Sequence, residues 1–132
     1  MLKLITSLFF ISSVAVAANQ PEVGVYSAVD LESGTIQATI TIRADQTLNF
    51  GVVTPDFTMP EPGCEGNFAV NDQSILSVAL TCPIEALPNV NVNIDLTNAT
   101  PEAVRSEQGA LVAVVLDVVG PEAISFVLKK IK

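Results

Sequence analysis

The sequence has 132 residues, enough for one domain and not two. Its 14 acidic residues outnumber 6 basic ones, and it holds no histidine. The charge balance argues against nucleic acid, whose phosphates demand a basic patch, and the lack of histidine excludes Ser-His-Asp, Cys-His and His-metal chemistry.

Residues 1–18 read as a secretory signal peptide. Lys3 supplies a short positive start, residues 4–14 an apolar run, and Ala15-Val16-Ala17 a small-x-small cleavage site, with a cut after Ala18 as the alternative. The apolar run is shorter than the roughly 20 residues a membrane-spanning helix needs. No cysteine follows the cut, which argues against a lipoprotein. Processing leaves about 114 residues and moves the formal net charge from -8 to -9, because Lys3 is lost. The expected destination is the periplasm and then the cell surface.

Residues 19–33 follow. Val23, Val25, Val29 and Leu31 occupy alternate positions, with Ser27 breaking the series. A strand is predicted, with these aliphatics on one face. Two roles stay open for it: an ordinary first strand, or an N-terminal extension that pairs with a neighbouring subunit.

The domain proper is expected over residues 34–132. From Thr35 to Ile42 the chain alternates without a break, with Ile36, Ala38, Ile40 and Ile42 on one face and threonines and Gln37 on the other. Arg43-Ala44-Asp45-Gln46 interrupts the pattern, and Leu48, Phe50 and Val52 resume it. Residues 54–63 carry Pro55, Pro60 and Pro62, so an exposed loop or extended edge is predicted there.

Two cysteines in a secreted chain imply one disulfide. Residues 67–70 and 75–81 are strand-like around the turn Asn71-Asp72-Gln73-Ser74. A hairpin pairing Val70 with Leu76 sets Cys64 opposite Cys82, where facing Cβ atoms are close enough to bridge. Placement of the two cysteines in different sheets stays open.

Val90, Val92, Ile94 and Leu96 alternate with Asn91, Asn93 and Asp95 in a second two-faced strand. Asn98-Ala99-Thr100 reads as a turn before Pro101, and residues 103–108 as a short helical turn. Residues 110–119 are almost continuously apolar, so a strand buried on both faces is predicted, with a helix as the alternative. After Gly120-Pro121-Glu122, Ile124, Phe126 and Leu128 alternate to the end.

No catalytic constellation, cofactor site or metal site emerges. Fourteen carboxylates leave a glycosidase pair open on composition, but no tryptophan and a single tyrosine leave almost nothing to stack on a sugar. Asp72 with Asn71, and Asp95 with Asn91 and Asn93, offer oxygens for calcium, yet without the spacing of a calcium loop they read as turn and solvated-face residues. The expectation is a structural or binding module and not an enzyme. Seven to eight strands, with turns every eight to twelve residues, predict an all-β antiparallel sandwich.

The threonine-rich alternating strand, the short polar break and Leu48-Asn49-Phe50-Gly51 resemble the opening of fimbrial-subunit-like domains of bacterial pili. The pattern is most similar to the small secreted DUF4402 pilin-like family, closely over residues 34–51 and in outline elsewhere. The resemblance implies an immunoglobulin-like sandwich completed by a neighbour's added strand. It makes Val23, Val25, Val29 and Leu31 the donor residues, and Ile36, Ile40, Phe126 and Leu128 candidates to line the acceptor groove. It implies other pilin-like subunits as partners, with a periplasmic chaperone and an outer-membrane usher, and a role in a fimbria and in cell adhesion. The near-terminal tyrosine of many such subunits is absent here, and the chain ends in lysines. The rival reading is a monomeric extracellular or periplasmic β-sandwich that binds a ligand or surface.

Overall fold

Residues 18–86 and 88–132 are described by the computed structural model, and the signal peptide predicted from residues 1–18 lies outside them but for Ala18. Among the described residues the elements run β1 (Gly24–Asp30), β2 (Gln37–Ile42), β3 (Thr47–Thr54), β4 (Phe57–Thr58), β5 (Cys64–Val70), β6 (Ile75–Thr81), β7 (Asn89–Asp95), α1 (Pro101–Arg105), β8 (Ala110–Leu116) and β9 (Ile124–Lys130).

All pairings are antiparallel. The strand order is β2-β1-β9-β8-β7-β6-β5-β3-β4, and β2 also pairs with β3. That last pairing closes one sheet into an eight-stranded barrel, with the two-residue β4 folded back on the end of β3. The sandwich expectation is correct in its antiparallel all-β content, and the closure differs. Nearly every neighbour in the barrel is also a neighbour in sequence, so most connections simply add the next strand, and the first and last strands meet. The longest connection, residues 96–109, carries α1.

Turn chemistry sets the hairpins. Gln46 and Ser74 adopt left-handed backbone at φ 68° and 65°. Asp45 accepts from the Thr47 amide and hydroxyl, and Asn71 accepts from the amides of Gln73 and Ile75. Short polar side chains that satisfy local amides favour such turns over continued strand.

The strand periodicity of two puts every second side chain inside. Leu48, Leu76 and Leu80 are almost wholly buried, among Ile40, Val78, Val92, Ile94, Val112 and Leu128. An eight-stranded barrel is just wide enough for side chains to fill. The remaining void among Tyr26, Ile40, Leu48, Leu76, Ile94 and Leu128 is about 20 Å³, space for a single water at most.

One end of the barrel is capped by residues 19–22 and α1. The Asn19 side-chain amide donates to the carbonyls of Leu96 and Thr97, and its backbone N–H donates to Ser74 Oγ. Thr100 caps α1 by accepting from the Ala103 amide, Pro101 follows it, and Val104 is buried beneath. Arg105 pairs with Glu22.

Residues 110–119 depart from expectation. The strand stops at Leu116, and only Ala110, Val112 and Val114 point inward. A barrel has one interior, so Leu111, Ala113 and Val115 are left on the outer wall, with Leu111 47% exposed. The proline-bearing segment predicted as loop or edge holds β4, which pairs Phe57 and Thr58 with Thr54 and Val53.

Candidate functional site

The disulfide is where the hairpin register places it. Val70 pairs with Leu76, Glu65 with Thr81, and Cys64 and Cys82 are bridged with their Cα atoms 4.1 Å apart. The bridge closes the open end of the β5–β6 hairpin and is buried, with Met59 Sδ 3.9 Å from Cys64 Sγ.

The groove residues named from the resemblance come together at the seam of the barrel. β1 lies between β9 and β2 and pairs with both along its length. Ile40, Phe126 and Leu128 point inward and are buried, and Ile36 packs half-buried against the same core. The strand filling the space between them comes from the same chain. Its inward residues are Tyr26, Ala28 and Asp30, set opposite Ile40, Leu128 and Phe126. Val25 and Val29, expected to fill the groove, lie in the alternate positions on the outer wall, and Val23 and Leu31 are 58% and 55% exposed.

This phase follows from local hydrogen bonding. The Tyr26 hydroxyl donates to the Glu22 carbonyl at 2.7 Å, which lets the ring enter the core with its polar end satisfied. Burial raises the Tyr26 pKa above its ordinary 10.0. Asp30 turns its carboxylate into the loop before β2, where it accepts from the Ser33 hydroxyl and the amides of Ser33 and Glu32. The Ser33 hydroxyl bond, then the loop amides, hold its pKa below the ordinary 3.8. The alternation of valines masks this, because an apolar series and a series of polar residues with local partners are equally able to face inward. The signal within reach of sequence was Asp30 placed three residues before Ser33 in a turn.

Beside the seam, the loop after β1 and the turn between β8 and β9 enclose a cleft of about 610 Å³, lined by Asp30, Leu31, Glu32, Val119, Glu122 and Ile124 among others. The Leu31 amide donates to the Ser125 carbonyl and ties the loop after β1 to the start of β9. Val118 and Val119 stand exposed at its edge.

The outer wall has two characters. Across β8, β9 and β1 the outward positions are mainly aliphatic: Val29 pairs with Val127, and Val127 with Leu111. Around β2, β3, β5, β6 and β7 the outward positions are mainly Thr, Asn, Gln and Ser, as at Thr39, Asn49, Asn67, Ser77 and Asn93. A lipid-spanning barrel needs an apolar band on every strand and carries polar residues inside; here the interior is apolar and the aliphatic outer face is confined to three strands. Most of the residues with oxygens suited to calcium have local partners. Asn71 Oδ1 accepts from its own turn, Asp95 accepts from the Thr97 amide and hydroxyl, and Asn93 Oδ1 accepts from the Ser77 hydroxyl. Asn91 donates through its backbone and side-chain N–H groups to Asp117.

No protein-family model, curated protein or solved structure matches this chain.

Proposed function

We propose that the protein is a self-contained, extracytoplasmic β-barrel that works as a non-catalytic binding module through its outer surface. The observation that carries this reading is the pairing of β1 on both edges within its own chain. The filled interior supports it, since a void of about 20 Å³ leaves recognition to the walls and loops.

A second reading is favoured by the same seam. β1 lies between β2 and β9, the strands whose residues the pilin resemblance names as the groove. Exchange of β1 between copies, with residues 31–36 as the hinge, would give a pilin-like surface polymer by strand addition. In that polymer the inserted side chains are Tyr26, Ala28 and Asp30, and pilin-like subunits are the partners.

Deletion of residues 19–32 separates the readings. The full sequence, produced in a secreting bacterial host, is expected to resolve to monomers on dilution, and the deletion is expected to lose the folded state by circular dichroism. A deletion variant that stays folded and captures an added peptide of residues 19–32 would establish strand exchange instead.

A further inference from the structure

We propose that two copies of this chain pair through the outer wall of β8, β9 and β1. The proposal rests on the reading that β1 completes its own barrel, because that pairing builds the wall. Val29, Val127 and Leu111 stand side by side in one row across three strands. Leu31 extends the patch, joined to Ser125 through its amide, and Ser125 pairs with Ala113. The flanks are polar and mostly uncharged, with Gln37 and Thr39 on β2 and Asn93 on β7 beside the patch. An apolar centre with a polar rim is the usual anatomy of a protein interface.

Charge selects the occupant. At one end of the wall stands Lys129, paired with Ser27, and at the other stand Asp117, Glu32 and Glu122. Lys130 falls in the inward phase opposite Tyr26, and its Nζ donates to the Lys132 carbonyl. A two-fold axis through the middle of the wall, near the Ser125–Ala113 pair, reverses one copy against the other. Each lysine end then lies over the carboxylate end of its partner, so this contact is made twice. The same-direction stacking sets lysine against lysine and carboxylate against carboxylate. Ala113 and Ser125 are small, so the two walls can approach closely at the axis.

Three strands and about five residues of each span roughly 14 Å by 17 Å. That is well below the roughly 800 Å² per partner of a standard interface. The dimer is therefore weak, dependent on concentration, and loosened by salt.

Light scattering behind size exclusion, over a concentration series at low and high salt, tests this on the full sequence as secreted. The expected result is a dimer that dissociates on dilution. Leu111→Lys, at a position already 47% exposed, is expected to keep the circular dichroism spectrum and weaken the dimer at least about tenfold. Lys129→Glu is expected to weaken it, and Lys129→Glu with Glu122→Lys to restore it. A monomer at every concentration overturns the proposal and leaves the binding-module reading standing. So does a dimer indifferent to Leu111→Lys. Oligomers that resist dilution and dissociate only on heating in denaturant overturn both in favour of strand exchange.

Discussion

Gly66 shows how closely the barrel wall is built at the scale of one residue. A Cβ added there would lie 2.2 Å from the Ala79 carbonyl oxygen and 3.0 Å from a Val78 methyl. The nearest of these atoms is backbone of the adjacent strand, which cannot swing aside as a long side chain would. Gly66→Ala is therefore expected to destabilise by about 2–3 kcal/mol, read as a lower urea midpoint with an unchanged slope. Gly51, also in a strand, has nothing within 4 Å of the same added atom, so Gly51→Ala serves as the control. This difference was not legible in the sequence, where Gly51 sits in an alternating run and Gly66 just before the strand-like residues 67–70. It depends on which neighbour crosses closest, and that is set by pairing. Asp30 was hidden for a related reason: its burial is made possible by Ser33 and two loop amides, partners that appear only once the turn has formed.

Individual elements were more legible. The alternations at residues 35–42, 75–81 and 90–96 became β2, β6 and β7 within a residue or two, because a two-faced strand writes its period directly into the chain. The β5–β6 register was readable too, since one turn and two cysteines over-determine it. Its bridge closes a loop with a sequence separation of 18. Replacing Cys64 and Cys82 together by alanine should cost about 3 kcal/mol, as expected from the loop-closure entropy returned to the unfolded chain. Urea unfolding of the double variant, compared with the reduced and oxidised parent, checks this. The reduced parent should fall to a similar midpoint. The phase of β1 was less legible than its existence. Val23, Val25, Val29 and Leu31 make the stronger apolar series, yet Tyr26, Ala28 and Asp30 occupy the interior. Residues 110–119 erred in the other direction, because apolar side chains on both faces say nothing of whether a second layer of the same chain is there to cover both.

Closure belongs to the whole molecule, and a sandwich and a barrel share the same strand-by-strand alternation. What separates them is whether β2 pairs with β3 as well as β1, a matter of tilt and stagger that leaves no separate mark on composition. The acid response of the fold is likewise a property of the whole, because its perturbed carboxylates sit at separate joints of the barrel. Asp30 holds the β1–β2 loop, Asp45 the β2–β3 turn and Asp95 the chain leaving β7, each with its pKa lowered first by a hydroxyl from Ser33, Thr47 or Thr97. Glu65 is lowered by Arg43 and then Asn49, joining β5 to β3 and its turn. Each binds its proton more weakly folded than unfolded, so the unfolded chain takes up protons first as pH falls. Their stabilisation is complete above the ordinary values of 3.8 for Asp and 4.5 for Glu. It is lost as pH drops below those values through the lowered folded ones. Unfolding free energy should therefore be level from neutral pH to about 5 and decline as pH falls below about 4. A variant with Asp30→Asn, Asp45→Asn and Asp95→Asn should be less stable at pH 7, because the charged acceptors are gone, and should lose less between pH 5 and pH 3. Urea titrations of both proteins at these three pH values measure the two slopes. Equal losses in parent and variant would assign the acid transition to groups other than these three aspartates.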